Sequence, residues 1–164
     1  MPLILLLLFL LSPLHAHARE YKGVVIAVAD GDTLTMRAYN NRRMTIRLAD
    51  IDAPEKRQPY GNEAKQSLIG MVQGQPVIVN KKTRDRYQRT VGTVYRASDV
   101  LNVNREQTRL GSSWAYRAYL DDPAMLVLED AARSSQAGLW GLSTEPLPPW
   151  QWRHMRQITY KENK

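Results

Sequence analysis

The sequence has 164 residues, 43% of them hydrophobic and 24% charged, which is enough for one domain with its own core. It contains no cysteine, and that excludes disulfides, thiolate catalysis and zinc–thiolate sites. A net charge of +7 and a pI near 9.8 favour polyanionic partners: nucleic acid, anionic membranes or acidic glycans.

Residues 1–18 read MPLILLLLFLLSPLHAHA. The apolar run 3–11 is too short to span a bilayer. Ala16-His17-Ala18 is a small-x-small cleavage site, so a secretory leader ending at Ala18 is expected, with a secreted or periplasmic product. The leader has no charged side chain, so its removal leaves the whole +7 on the remaining chain. It also takes His15 and His17, leaving His154 alone. The chemistry must then rest on carboxylates, arginines and tyrosines.

Tyr21–Ala29 is rich in β-branched residues and reads as a buried strand. Asp30-Gly31-Asp32 punctuates it as a turn. Thr33–Arg37 alternates, with Leu34 and Met36 on one face. After Asn40-Asn41, Arg43–Ala49 alternates again through Met44, Ile46 and Leu48. Pro54 stops this third strand. Gly61–Val72 reads as a helix ended by Gly74. Pro76–Val79 and Val91–Tyr95 read as strands four and five, separated by a basic loop over Lys81–Thr90. Asn102 caps a short helix through Leu110. Asp122-Pro123 opens another, ended at Gly138. The tail PLPPWQ, 146–151, implies an extended segment with Trp150 and Trp152 packed on the domain. Five strands in the order βββαββαα predict an α+β, mainly β fold: a five-stranded oligonucleotide-binding (OB-fold) barrel with about three packed helices.

Residues 30–55 gather Asp30, Asp32, Asp50, Asp52 and Glu55 around Arg47. Carboxylates repel, so such a group needs a cation. Hard oxygen ligands suit calcium or magnesium. Asp32, Asp52 and a backbone carbonyl can hold one, with water completing its shell. Alternation puts Asp50 and Asp52 on one face and Arg47 on the opposite parity. Glu55 is placed to position or deprotonate a water for attack on phosphorus. Arg47 can clamp phosphoryl oxygens as charge builds.

Each feature has a plainer reading beside it. Asp-Gly-Asp is also an ordinary turn, and TRDRYQR, 83–89, is also a solvated basic loop. In the functional reading Arg89 is a second phosphate clamp, Arg84 or Arg86 touches the backbone, and Tyr87 offers a stacking surface. Trp114, Tyr116 and Tyr119 either stack a base or pack, with Tyr119 the better stacking candidate.

Together, VVIAVADGDTLT, IRLADIDAPE and DRYQRTVG, in that order and spacing, resemble the staphylococcal nuclease-like (thermonuclease) family. The resemblance covers about Tyr21 to Trp140, and GLWG at 138–141 is similar to the close of that domain. It divides the chain into a leader at 1–18, a nuclease-like domain at 19–142 and a Pro/Trp-rich extension at 143–164. It implies a calcium-dependent endonuclease on DNA and RNA that leaves 3′-phosphate ends. Carried over by position, the calcium ligands are Asp32, Asp52 and the Ala53 carbonyl. Arg47, Glu55 and Arg89 take the catalytic places, and Arg86, Tyr87 and Tyr119 contact the nucleotide. Asp30 lies near the metal, and Asp50 is left outside the site. Ala53 stands where the family has threonine, and Arg117 where it has a tyrosine. The implied partners are DNA and RNA, with no stable membrane association after leader cleavage and a monomeric chain. The rival reading is a related barrel that binds nucleic acid without cutting it.

Overall fold

Alternating apolar residues become alternating buried ones along each barrel strand. The structure, a computed structural model, describes residues 19–162, with side chains as far as Ile158. The leader expected at 1–18 lies outside the described residues. The elements run β1 Glu20–Val28, β2 Thr33–Ala38, β3 Arg43–Leu48, β4 Ile51–Asp52, α1 Gly61–Val72, β5 Pro76–Arg84 and β6 Thr90–Arg96. They continue with β7 Leu101–Asn102, α2 Val103–Arg109, β8 Trp114–Ala115, α3 Ala124–Ser134 and α4 Pro149–Glu162. Short 3-10 turns cover Arg117–Tyr119 and Gly138–Gly141. No helix among the described residues is long and apolar enough to cross a membrane.

The large strands pair in the order β3-β2-β1-β5-β6, and β6 returns to β3 in parallel, so five strands close a barrel. Closure leaves no free edge on these strands. Leu34, Met36, Ile46, Leu48, Val79 and Val94 are fully buried within the core, and α1 covers it with Leu68, Met71 and Val72. The β4–β8 pair joins the chain just past β3 to the segment before Arg117.

Three expectations are corrected. β5 continues to Arg84, so the basic loop shrinks to residues 85–89. Pairing with β6 down to Arg84↔Thr90 satisfies this stretch whatever its side chains. The helix predicted to end at Gly138 stops at Ser134, and Gly138 opens the second 3-10 turn instead. The tail is helical from Pro149 rather than extended. Proline suits the first helical turn, where no N–H partner is needed, and the Trp152 N–H already donates to the Pro148 carbonyl at 3.0 Å.

Candidate active site

Strand pairing brings the acids together. β2 and β3 align Thr33 with Arg47, and the Leu48 N–H donates to the Asp32 carbonyl at 2.8 Å. The Arg47 guanidinium therefore stands beside the Asp32 carboxylate. Its Nη2 lies 3.3 Å from Asp32 Oδ2 and 2.8 Å from Asp52 Oδ1. Gly31 makes this approach possible. A Cβ there would lie 2.7 Å from the Ala53 Cβ and 2.8 Å from the Ala64 Cβ. The Ala53 N–H donates to Asp32 Oδ2 at 3.1 Å, tying the two turns.

Buried amides on α2 hold those turns from behind. Gln107 Nε2 donates to the Gly31 carbonyl at 2.6 Å and to the Ala64 carbonyl at 3.1 Å. Asn104 Nδ2 donates to the carbonyls of Ala49 (2.9 Å) and Gly92 (3.2 Å), while its Oδ1 accepts from the Val94 N–H at 2.9 Å. Both side chains are fully buried.

The alternation argument fails at Asp50. Its φ of 65° is left-handed, so the chain turns there and Asp50 does not share a face with Asp52. Asp50 instead takes Lys82 at 2.6 Å and accepts the Asp121 N–H at 2.9 Å, bracing the loop before α3. Asp52 faces Arg47.

The extension supplies a second guanidinium that sequence reasoning missed. Arg153 on α4 reaches Asp52 Oδ2 through Nη2 at 2.7 Å and Glu55 Oε1 through Nη1 at 2.7 Å. The signal was faint: Trp150 and Arg153 sit three apart after a proline pair, on one helical face. Trp150 stacks on Tyr116 with centroids 5.6 Å apart and planes 15° from parallel.

The remaining candidates lie as follows. Arg89 is held by Asp85, Nε to Oδ2 at 2.6 Å, within its own hairpin. Arg86 lies over the Tyr87 ring, 4.9 Å from its centroid. Tyr87 and Tyr119 are both exposed, and Tyr119 packs its ring against Tyr116 at 5.2 Å. Trp114 is not a stacking residue: it is buried and meets Trp140 edge-on at 5.2 Å. A cleft of about 490 Å³ is lined by Glu55, Arg86 and Tyr87 on one side and by Trp152, Arg153, Arg156 and Gln157 of α4 on the other.

The electrostatics disfavour the charged forms of these acids. Burial raises the Asp52 carboxyl above its ordinary value, and Asp32 adds repulsion, despite Arg153 and Arg47. Burial together with the charge of Asp32 pushes Asp30 up to about 7. No cluster of three His, Cys, Asp or Glu side chains poised for a metal occurs among the described residues. Asp32 and Asp52 face the same guanidinium, and carboxylate oxygens of this kind are donors that suit a hard cation such as calcium or magnesium.

The family model of Staphylococcal nuclease homologues matches residues 45–141. A protein of Escherichia coli described as an uncharacterized endonuclease is 42% identical over 137 residues, covering 84% of this chain and 88% of that protein. An endonuclease of Haemophilus influenzae, likewise described as uncharacterized, is 39% identical over 153 residues, 93% of this chain and 84% of its own. A micrococcal nuclease of Shigella flexneri is 37% identical over 143 residues, 82% of this chain and 81% of its own.

Proposed function

This chain belongs to the staphylococcal nuclease homologue family, and from that premise we propose that it is an exported, calcium-dependent endonuclease. It hydrolyses phosphodiester bonds of DNA and RNA with low sequence specificity, leaves 3′-phosphate ends and acts as a monomer. The observation that carries this reading is the convergence of Asp32, Arg47, Asp52 and Glu55 on one buried-to-open patch.

Asp32, Asp52 and the Ala53 carbonyl would hold calcium. Bound there, the ion supplies Lewis-acid polarisation of a phosphoryl oxygen. Glu55, 38% exposed, sits at the cleft, and its carboxylate takes the proton of the attacking water. Arg47 is already positioned by two carboxylates and stabilises charge on the phosphoryl oxygens. Arg89 adds a second guanidinium once it leaves Asp85. Arg86 takes a phosphate, and the exposed rings of Tyr87 and Tyr119 stack bases. Backbone and stacking contacts carry little sequence information, hence the low specificity.

The test is digestion of single-stranded DNA, duplex DNA and RNA side by side, with calcium and then with chelator, followed by end-group analysis. Cleavage with calcium alone, giving 3′-phosphate ends, is expected. Cleavage that persists in chelator would remove the ion from the mechanism, and binding without cleavage would make the chain a non-catalytic module.

A further inference from the structure

We propose that α4 is a built-in occupant of the active site, with Arg153 in the place of the cation and Trp150 in the place of a nucleobase. Calcium and nucleic acid must each displace it. The inference rests on the calcium reading above but concerns a segment outside the matched residues 45–141.

The first argument is occupancy. Every oxygen of the two ligand carboxylates already has a protein donor. Asp32 Oδ1 accepts from Thr33 Oγ1 at 2.8 Å, and its Oδ2 accepts from the Ala53 N–H and faces Arg47. Asp52 Oδ1 takes Arg47, and its Oδ2 takes Arg153. Arg153 also holds Glu55, so one guanidinium ties up an ion ligand and the general base together. A dication approaching Asp52 from the Glu55 side meets the Arg153 guanidinium already there, a charge of its own sign.

The second argument is stacking. Trp150 covers Tyr116 face to face, on the ring that lies 5.9 Å from the Arg47 guanidinium. A base that stacked on Tyr116, beside the phosphate clamp, would find the indole already on that ring. The third argument is attachment. The buried Gln58 donates to the Leu147 carbonyl while accepting the Glu55 N–H, so the segment leading into α4 is tied to the loop that carries Glu55. That tether keeps α4 at high local concentration even when its face is displaced.

An occupant of this kind weakens an incoming ligand by the fraction of molecules in which it is undocked. The full-length chain and three variants, Arg153→Gln, Trp150→Ala and Arg156→Gln, are titrated with calcium chloride by calorimetry without nucleic acid. Thermal melts in chelator first establish that each is folded. Arg153→Gln is expected to bind calcium about tenfold more tightly or better, the gain that follows if the undocked, competent state is limited to roughly one molecule in ten. Trp150→Ala, which removes no charge, should tighten binding in the same direction by loosening the helix. Arg156→Gln removes a cleft charge but none of these contacts, so its effect should be much smaller. Calcium affinity unchanged or weakened in Trp150→Ala, or equal gains in the two arginine variants, would overturn the proposal. If no protein takes up calcium and none cleaves, the calcium nuclease reading itself fails. If all bind calcium equally, only the role of α4 fails.

Discussion

Arg47 Nη2 lies 2.8 Å from Asp52 Oδ1, and both side chains are withdrawn from water, 15% and 1% exposed. Burying a charge pair costs desolvation of both ions, so removing one partner leaves the other uncompensated. Arg47→Met is therefore expected to destabilise the protein by about 3 kcal/mol in chelator. Calcium should restore part of that loss by neutralising the same carboxylates. Urea unfolding with and without calcium checks both halves.

Glu55 carries the proton transfer in the proposed mechanism. Glu55→Gln keeps the size and the Arg153 neighbourhood but loses the basic oxygen. Turnover should fall by on the order of 10²–10⁴ while oligonucleotide binding in chelator holds. An unchanged rate would hand the role of base to another group.

Arg86 belongs to the exposed face of the cleft. If it meets a phosphate, Arg86→Ala should reduce the slope of log affinity against log salt by about 0.7 for a single strand. The loss should be uniform across sequences. Fluorescence anisotropy with two oligonucleotides of different composition, over a salt series in chelator, measures it.

Asp30 is pushed up to about 7 by burial and by Asp32, against an ordinary 3.8. Between those values the folded chain keeps a proton that the unfolded chain has lost, so stability falls as pH rises through the window. The raised Asp52 contributes with the same sign. In chelator, the wild-type melting temperature should therefore drop from about pH 5 to about pH 8, and Asp30→Asn should flatten part of that drop. A wild type more stable at the higher pH in chelator would contradict the sign.

Asn104 makes three hydrogen bonds from full burial, one of them to each of Ala49, Gly92 and Val94. It ties α2 to the place where β3 and β6 close the barrel. Asn104→Ala removes the side-chain partners of the Ala49 carbonyl and the Val94 N–H, while the Gly92 carbonyl keeps the Ala49 N–H, and should cost about 3 kcal/mol. The urea midpoint should fall with little change in slope.

How much of this was legible in the chain differs by element. The Gly61–Val72 helix matches residue for residue, because its composition and the following glycine act over one or two turns. The second and third strands were visible from alternation with a period of two, broken by turn residues; the first was visible from its β-branched run, though it is buried on one face rather than throughout. The acids were visible as a cluster because Asp30 to Glu55 is a short span. The helicity of the tail was misread because its prolines were taken as breakers, when Pro149 sits in a first helical turn.

Residue types and local order were enough to determine a basic, cysteine-free barrel with a patch of acids around one arginine. Only the folded chain decided which way each acid points. The left-handed turn at Asp50 sends that carboxylate to Lys82, and Asp52 turns to Arg47 instead. Only barrel closure and the docking of α2 put buried amides behind the site, and only the return of the tail puts Arg153 against Asp52, 101 positions away. Such contacts depend on long-range burial that offsets the entropy of closing large loops, and no window of neighbouring residues records it.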